Sequence, residues 1–475
     1  MSALLAVVHL VSLCALGFAL ASLLARRPGG APRGGLFVLS VAPGIAFLIN
    51  GCATFARLYT GAFGPETQAL VCIALGAAAL AYCIRRRAFP AEWRARAEPA
   101  SPIERRLTLV GGVLCAVIWI AFVAGDPEGP VDAWRNWNLK ARFMWSAPES
   151  WRALFGPDFP GTNADYPILL PLNTAALFTL AGDDTCLAPI TIAACFTIAL
   201  VGLMRAACAE LGGGRTAWCL LLMTPCLAPY AARQYADVEM SYFLLAGTAA
   251  LFFALRDGGA RDYLLAGVWA GAAAFTKNEG LPYLAGAGAA AAAGALAACA
   301  RRRNARPFGG FLACLAGMAA GGSALWLFKA DVARHAFAIE TMPIAVLGVP
   351  PDLPARAGTM CLRILAVLAK PSVWALLPVA IAAVWAGTRV APGGRGGAAA
   401  LAGAPLAFVL AAYCAVVLIA PVDPDWLVSG SAGRVIFQVW PGFLFLWAAR
   451  TIAPANVNTC GAVSGTRLHG AEESA

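Results

Sequence analysis

Residues 107–124 read LTLVGGVLCAVIWIAFVA, a run without a single charged or strongly polar side chain. A helix that crosses a hydrocarbon core about 30 Å thick needs about 20 mostly apolar residues. Inside lipid such a run must be helical, because every backbone N–H and C=O has to find its partner within the segment. Comparable runs lie at 3–25, 281–300, 308–328 and 401–420. The whole chain has the same character: 475 residues, 60% hydrophobic and only 13% charged, with a mean hydropathy of +0.72. A soluble domain carries about 25% charged residues. The expected fold is an all-α polytopic membrane protein with no sizeable soluble domain.

The net charge of +10 does not point to nucleic acid, because its distribution is that of a topology signal. The arginines cluster in short links: Arg26, Arg27 and Arg33; Arg85 to Arg87 and Arg105, Arg106; Arg205 and Arg215; Arg256 and Arg261; residues 301–306; Arg389 and Arg395. Basic short loops mark the cytoplasmic side. Placing them there gives spans at 3–25, 36–57, 67–84, 107–124, 187–204, 217–232, 240–255, 262–275, 281–300, 308–328, 362–387 (across Pro371), 401–420 and 435–450. That makes about 13 transmembrane helices, with the N-terminus and residues 125–184 outside. The run 168–181 is then a juxtamembrane helix on the outer interface, since a further span there would invert every later loop. Residues 3–25 exceed a signal-peptide core and lack a basic lead, so they read as a retained helix. The 15 cysteines are scattered through apolar helices with no Cys-x-x-Cys pair, as small buried hydrophobes would be. Three parts follow: N-terminal helices in 1–106, a core in 107–450 with the outer loop 125–184, and a disordered cytoplasmic tail in 451–475.

The outer loops are acidic and aromatic rather than basic, and a 60-residue loop of that kind between spans carries function more often than not. Its densest stretch is GPVDAWRNWNLKARFMW, residues 129–145. Here Asp132, Trp134, Arg135, Trp137 and Lys140 lie just beyond a span, and Ala133, Trp137, Lys140 and Met144 share one helical face. Aromatic rings stack on sugar faces, and a carboxylate beside such a surface suits general-base work on an acceptor hydroxyl. Next comes NADYPILLP (163–171), with Asp165 and Tyr166 before a proline able to start a helix. In RQYADVEMSYF (233–243), Arg233, Asp237 and Glu239 stand at a turn between spans, where the helix dipole also favours the acids. In AAFTKNEGLPY (273–283), Lys277, Asn278 and Glu279 interrupt an apolar run in a chain with only four lysines. Ionisable groups at membrane depth mark function or an internal pair that closes a turn. Finally SAGRVIFQVWP (431–441) opens the last span with Arg434 and, one turn on, Gln438; a snorkelling arginine fits there too. An interfacial phosphate needs such cations.

Taken in order, VDAW, DYPILLP, YADVEMSYFLLAG, FTKNEGLPYL and GRVIFQVWP resemble the GT-C superfamily of membrane glycosyltransferases, closest in pattern to bacterial relatives of protein O-mannosyltransferases and lipid A aminoarabinose transferases. The resemblance covers about 132–441 and leaves the first three helices without a role. It implies transfer of a sugar from a polyprenyl-phosphate-linked donor, on the outer face of a bacterial inner membrane, to a glycan, lipid or protein acceptor. Asp132 matches the first-loop acid of the catalytic centre, although Asp-Ala stands where many members carry two acids. Asp237 and Glu239 match the second acidic motif. Lys277 and Arg434 match positions facing the carrier phosphate. Trp134, Arg135, Trp137, Lys140, Asp165, Tyr166, Arg233, Asn278, Glu279 and Gln438 are the expected substrate contacts. The family has members with and without a divalent metal ion, so a possible metal is left open. The rivals are a membrane transporter, whose mark would be repeats and broken helices around midplane charges, and a polysaccharide polymerase or ligase sharing the lipid donor. The sharpest structural expectation is that Asp132, Asp237 and Lys277 approach one another.

Overall fold

The computed structural model describes residues 3–27, 33–90, 101–156, 159, 163–213, 215–302, 307–334, 352–387, 395–420 and 422–451. The expected tail from 452 on and the basic link 303–306 lie outside them. The described elements are helical, with no strand among them. In chain order they are α1 (Ala3–Leu24), α2 (Gly35–Thr60), α3 (Pro65–Arg85), α4 (Pro102–Gly125), α5 (Leu139–Ser146), α6 (Leu169–Ala181), α7 (Leu187–Glu210), α8 (Arg215–Leu222), α9 (Leu227–Ala232), α10 (Asp237–Asp257), α11 (Ala260–Thr276), α12 (Gly280–Arg302), α13 (Phe308–Leu327), α14 (Leu353–Ala369), α15 (Leu377–Gly387), α16 (Arg395–Ile419) and α17 (Pro424–Thr451). Ten of these are long and apolar enough to cross a membrane: α1 to α4, α7, α10, α12, α13, α16 and α17. The chain is a multi-pass membrane protein.

Two expected spans are broken among the described residues, and a third is short. Residues 217–232 form two short helices, α8 and α9, parted at Pro225, which cannot supply an N–H to a continuing helix. Residues 362–387 are divided in the same way. α14 ends at Ala369, and Lys370 turns extended (φ −62°, ψ 115°) before Pro371, as a residue preceding proline tends to do. The expected helix 262–275 is present as α11, a single helix of 17 residues, shorter than the ten.

α10 is the axis of the bundle. Ser241 to Ala254 are buried without exception, and α7, α11, α16 and α17 pack around it. At 21 residues it is about 30 Å long, the thickness of the hydrocarbon layer. α2 is part of the same apolar core: the Tyr242 hydroxyl of α10 donates to Ser40 O at 2.8 Å, and Asn50 donates to Asn173 of α6 at 3.0 Å. α1 and α3 pair on its outer side. α11 and α13 run parallel and touch backbone to backbone. A Cβ on Gly267 would fall on Cys314, one on Gly271 on Gly321 and Gly322, one on Gly317 on Leu264, and one on Gly321 on Val268. Small residues allow this approach where lipid gives no hydrophobic drive between helices.

The described residues of the loop 125–184 fold down onto one end of the bundle. Residues 133–138 form a wide turn that runs into α5, and α5 packs on α6. Trp151 Nε1 donates to Leu58 O at 2.9 Å, fastening the loop to the end of α2. The face Ala133, Trp137, Lys140, Met144 is helical as expected, and all four side chains are at most 1% exposed: it faces the protein. α6 is likewise enclosed, buried from Leu169 to Ala176 among α2, α5 and α7, more so than a helix lying on an interface.

Candidate active site

Four separate stretches of chain meet at the end of the bundle where α10 begins. Asp237 is the first residue of α10 and has no exposed surface. Arg434 and Gln438 lie four apart on α17, hence on one face, and both reach it. Arg434 Nε donates to Asp237 Oδ2 at 2.6 Å, and Gln438 Nε2 donates to Oδ1 at 2.6 Å. Lys277, the extended residue that ends α11, donates from Nζ to Oδ1 of Asp237 at 3.0 Å and to Oε1 of Glu279 at 2.8 Å. Arg434 Nη1 lies 2.6 Å from Asp132 Oδ2, and its guanidinium stacks 4.3 Å above the Tyr235 ring. Asp132, Asp237 and Lys277 therefore form one chain of contacts, with Arg434 bridging the two aspartates.

The aspartates differ in kind. Asp237 is enclosed by three donors, which offset the several kcal/mol that burying a carboxylate costs. Asp132 is 29% exposed. Burial alone would lower the Lys277 pKa, but the carboxylates of Asp237 and Glu279 outweigh it and hold Lys277 above the ordinary lysine range. It stays an ammonium. Burial, helped by the negative charge of Glu279, likewise raises the Tyr166 phenol.

A second network braces the first. Asn278 Nδ2 donates to Asp165 Oδ2 at 2.6 Å, and Lys329 donates to Asn278 Oδ1 at 3.0 Å and to the backbone oxygen of Asp165. Lys140 Nζ donates to Asn163 O at 2.8 Å, Asn163 donates to Asn136 Oδ1 at 2.9 Å, and Asn136 donates to Asp132 Oδ1. The turn 163–165 is thus fixed by two lysines and, through Asn136, holds one oxygen of Asp132 while Arg434 holds the other.

Among the expected substrate contacts, Trp134 and Arg135 are exposed beside Asp132. Trp137 is 1% exposed and stacks on Tyr166, ring centroids 5.8 Å apart, so it packs the loop and presents no open face. Lys140 is fully buried as a brace. Glu239, 3% exposed, stands outside the Arg434–Asp237 network and makes no hydrogen bond or ion pair among the described residues. Arg233 stands apart with its guanidinium 5.6 Å over Tyr230; it lines a groove of about 440 Å³ with Phe122, Asp126 and Pro130. Sequence reasoning missed Asn136, Asn163 and Lys329. Two are neutral amides in a loop and carry no signal there; Lys329 offered one, as one of four lysines in the chain.

Among the described residues, no three His, Cys, Asp or Glu side chains converge as metal ligands. Asp132 and Asp237 meet across a guanidinium, an arrangement that does not fit a divalent ion held between them. No family model, curated protein or solved structure matches the chain.

Proposed function

We propose that this protein is a GT-C-type glycosyltransferase of the bacterial inner membrane, taking a sugar from a polyprenyl-phosphate-linked donor on the periplasmic side. The observation that carries this reading is the Asp132–Arg434–Asp237–Lys277 chain, at the end of the bundle opposite the arginine-rich links. Asp132, partly open and held at both oxygens, accepts the proton of the acceptor hydroxyl. The hydroxyl oxygen attacks the anomeric carbon, the bond from that carbon to the phosphate oxygen breaks, and lipid phosphate departs. Arg434 and Lys277 meet the charge that develops on it; fixed charges aimed at a developing anion commonly supply more of the rate enhancement than any other single effect. Asp237, saturated by donors, positions these two cations and takes no proton. The groove beside Pro130 and Arg233 opens along α4, whose long apolar side chains are exposed, which suits an isoprenoid arriving from lipid.

The broken pairs α8/α9 and α14/α15 favour a second reading, a transporter. Membrane vesicles supplied with undecaprenyl-phosphate-linked sugars separate the two. Release of undecaprenyl phosphate that requires Asp132 supports the transferase. Movement of the intact donor across the vesicle without release would refute it.

A further inference from the structure

The opposite, arginine-rich end contains a cavity of about 1050 Å³ between α10, α11, α12, α13 and α16. Ligand pockets run to roughly 300–1,000 Å³, so the space is ample. Gly309, Gly397 and Ala298 are among the small residues that line it, and a Cβ on either glycine would meet open space. Two polar groups line it without partners. Tyr263 is 6% exposed, and its hydroxyl makes no hydrogen bond among the described residues. Arg301 makes no ion pair among them. Arg256, the other cation of the wall, is committed to Asp257 through two contacts of 2.6 Å. An apolar wall, with a hydroxyl and a guanidinium that have no partner among the described residues, matches an amphiphile with an anionic head.

We propose that this cavity binds an anionic phospholipid of the adjoining leaflet, its phosphate on Arg301 and Tyr263 and an acyl chain along the glycine and alanine wall. Basic pockets between helices on the cytoplasmic side capture anionic headgroups in this way. The site is a helix length, about 30 Å, from Asp237, and does not depend on what the other end catalyses.

Native mass spectrometry of the full chain, titrated with phosphatidylglycerol, phosphatidylcholine or inorganic phosphate, tests it. The phosphatidylglycerol adduct should be favoured over phosphatidylcholine. Arg301→Ala should cut that preference about tenfold, the scale of one contact to a charged group, and Arg301→Lys should keep most of it. Tyr263→Phe should weaken the adduct a few-fold by the loss of one neutral hydrogen bond. Ala298→Phe should exclude both lipids. Equal retention of the two lipids, displacement of phosphatidylglycerol by millimolar inorganic phosphate, or an Arg301→Ala protein with unchanged preference would overturn the proposal. Arg301 is exposed, so its variants decide the matter even if Ala298→Phe fails to fold.

Discussion

The two ends of α10 carry charge clusters built from the same ingredients and closed to different degrees. At the arginine-rich end, Arg33 is 1% exposed and grips Asp262 through two contacts of 2.8 and 2.9 Å, with Glu210 at 3.3 Å. Arg27 forks onto Glu210 at 2.9 and 3.0 Å. This ties the link before α2 to the end of α7 and the start of α11, and each of those acids faces an arginine. At the other end Asp237 is sealed as tightly, yet the cluster continues outward through Arg434 to Asp132, which meets solvent. A buried ion pair adds little net stability over an apolar pair, but losing one partner is costly. Burying both carboxylates, Glu210 at 7% exposed and Asp262 at 3%, with only Arg27 reaching solvent, therefore fits a joint. Leaving the outer members of the network open, Asp132 at 29%, Glu279 at 21% and Arg434 at 19%, fits chemistry, because groups that meet solvent can change partners without unfolding their surroundings.

The strongest way to break this contrast is Asp132→Asn. Asn keeps size and hydrogen bonding but accepts no proton, so turnover should fall roughly 10²- to 10⁴-fold, the usual worth of a general base, while yield and melting temperature stay near wild type. Asp132 caps nothing through its side chain, so near-normal turnover in a well-expressed variant would end the catalytic reading of the loop. Arg33→Ala should do the reverse: it strands Asp262 and should cost about 3–5 kcal/mol of stability, read as lost yield or a lower unfolding temperature, with surviving protein keeping its turnover per molecule. A selective loss of turnover instead would mean that the sealed cluster has been misjudged. Arg434→Ala lies between. It removes the proposed phosphate contact, worth about 1.5–3 kcal/mol, so donor KM should rise more than acceptor KM, and Arg434→Lys should recover part of the loss. Unchanged donor dependence would return Arg434 to a purely structural role. Asn136→Ala is finer: kcat should drop about tenfold, the scale of one hydrogen bond near 1.4 kcal/mol, with donor KM unaltered. A rise in donor KM instead would place Asn136 on the substrate. Smallest of all is Arg142→Ala, which breaks half-exposed pairs with Glu128 and Asp184 and should cost under about 1 kcal/mol.

Much of this was legible in the chain. Asp237, Lys277 and Arg434 stood out because a charge inside an apolar run demands a reason, and the structure brings these three together with Asp132. The reading was poorer where local sequence is ambiguous. A tryptophan beside a span looks alike whether it faces lipid, a sugar or the loop itself, and only packing on Tyr166 places Trp137 inside. Asn136 and Asn163 act through geometry created when residues 132–138 and 163–165 meet, and no local pattern announces that. Arg33 looked like one more topology marker, although its partner Asp262 lies far along the chain. The breaks at Pro225 and Pro371 were written in the prolines, but the length of the apolar runs argued against them.

The glycine contact between α11 and α13 has a consequence at a distance. The two helices run the same way, and each delivers a lysine at its far end, Lys277 just past α11 and Lys329 just past α13. Backbone touching backbone leaves no soft side chain to absorb a slip, so Gly267, Gly271, Gly317 and Gly321 work as the teeth of a gauge that sets where both ammonium groups stand. A slip of one helical turn would move one lysine about 5.4 Å past the other, enough to part Lys329 from Asn278 and, with it, Asp165. The lysines also sit at the negative ends of two parallel helix dipoles, where cations are favoured. A methyl group added at Gly271, deep in the bundle, should therefore be felt as a mis-set charge at the mouth.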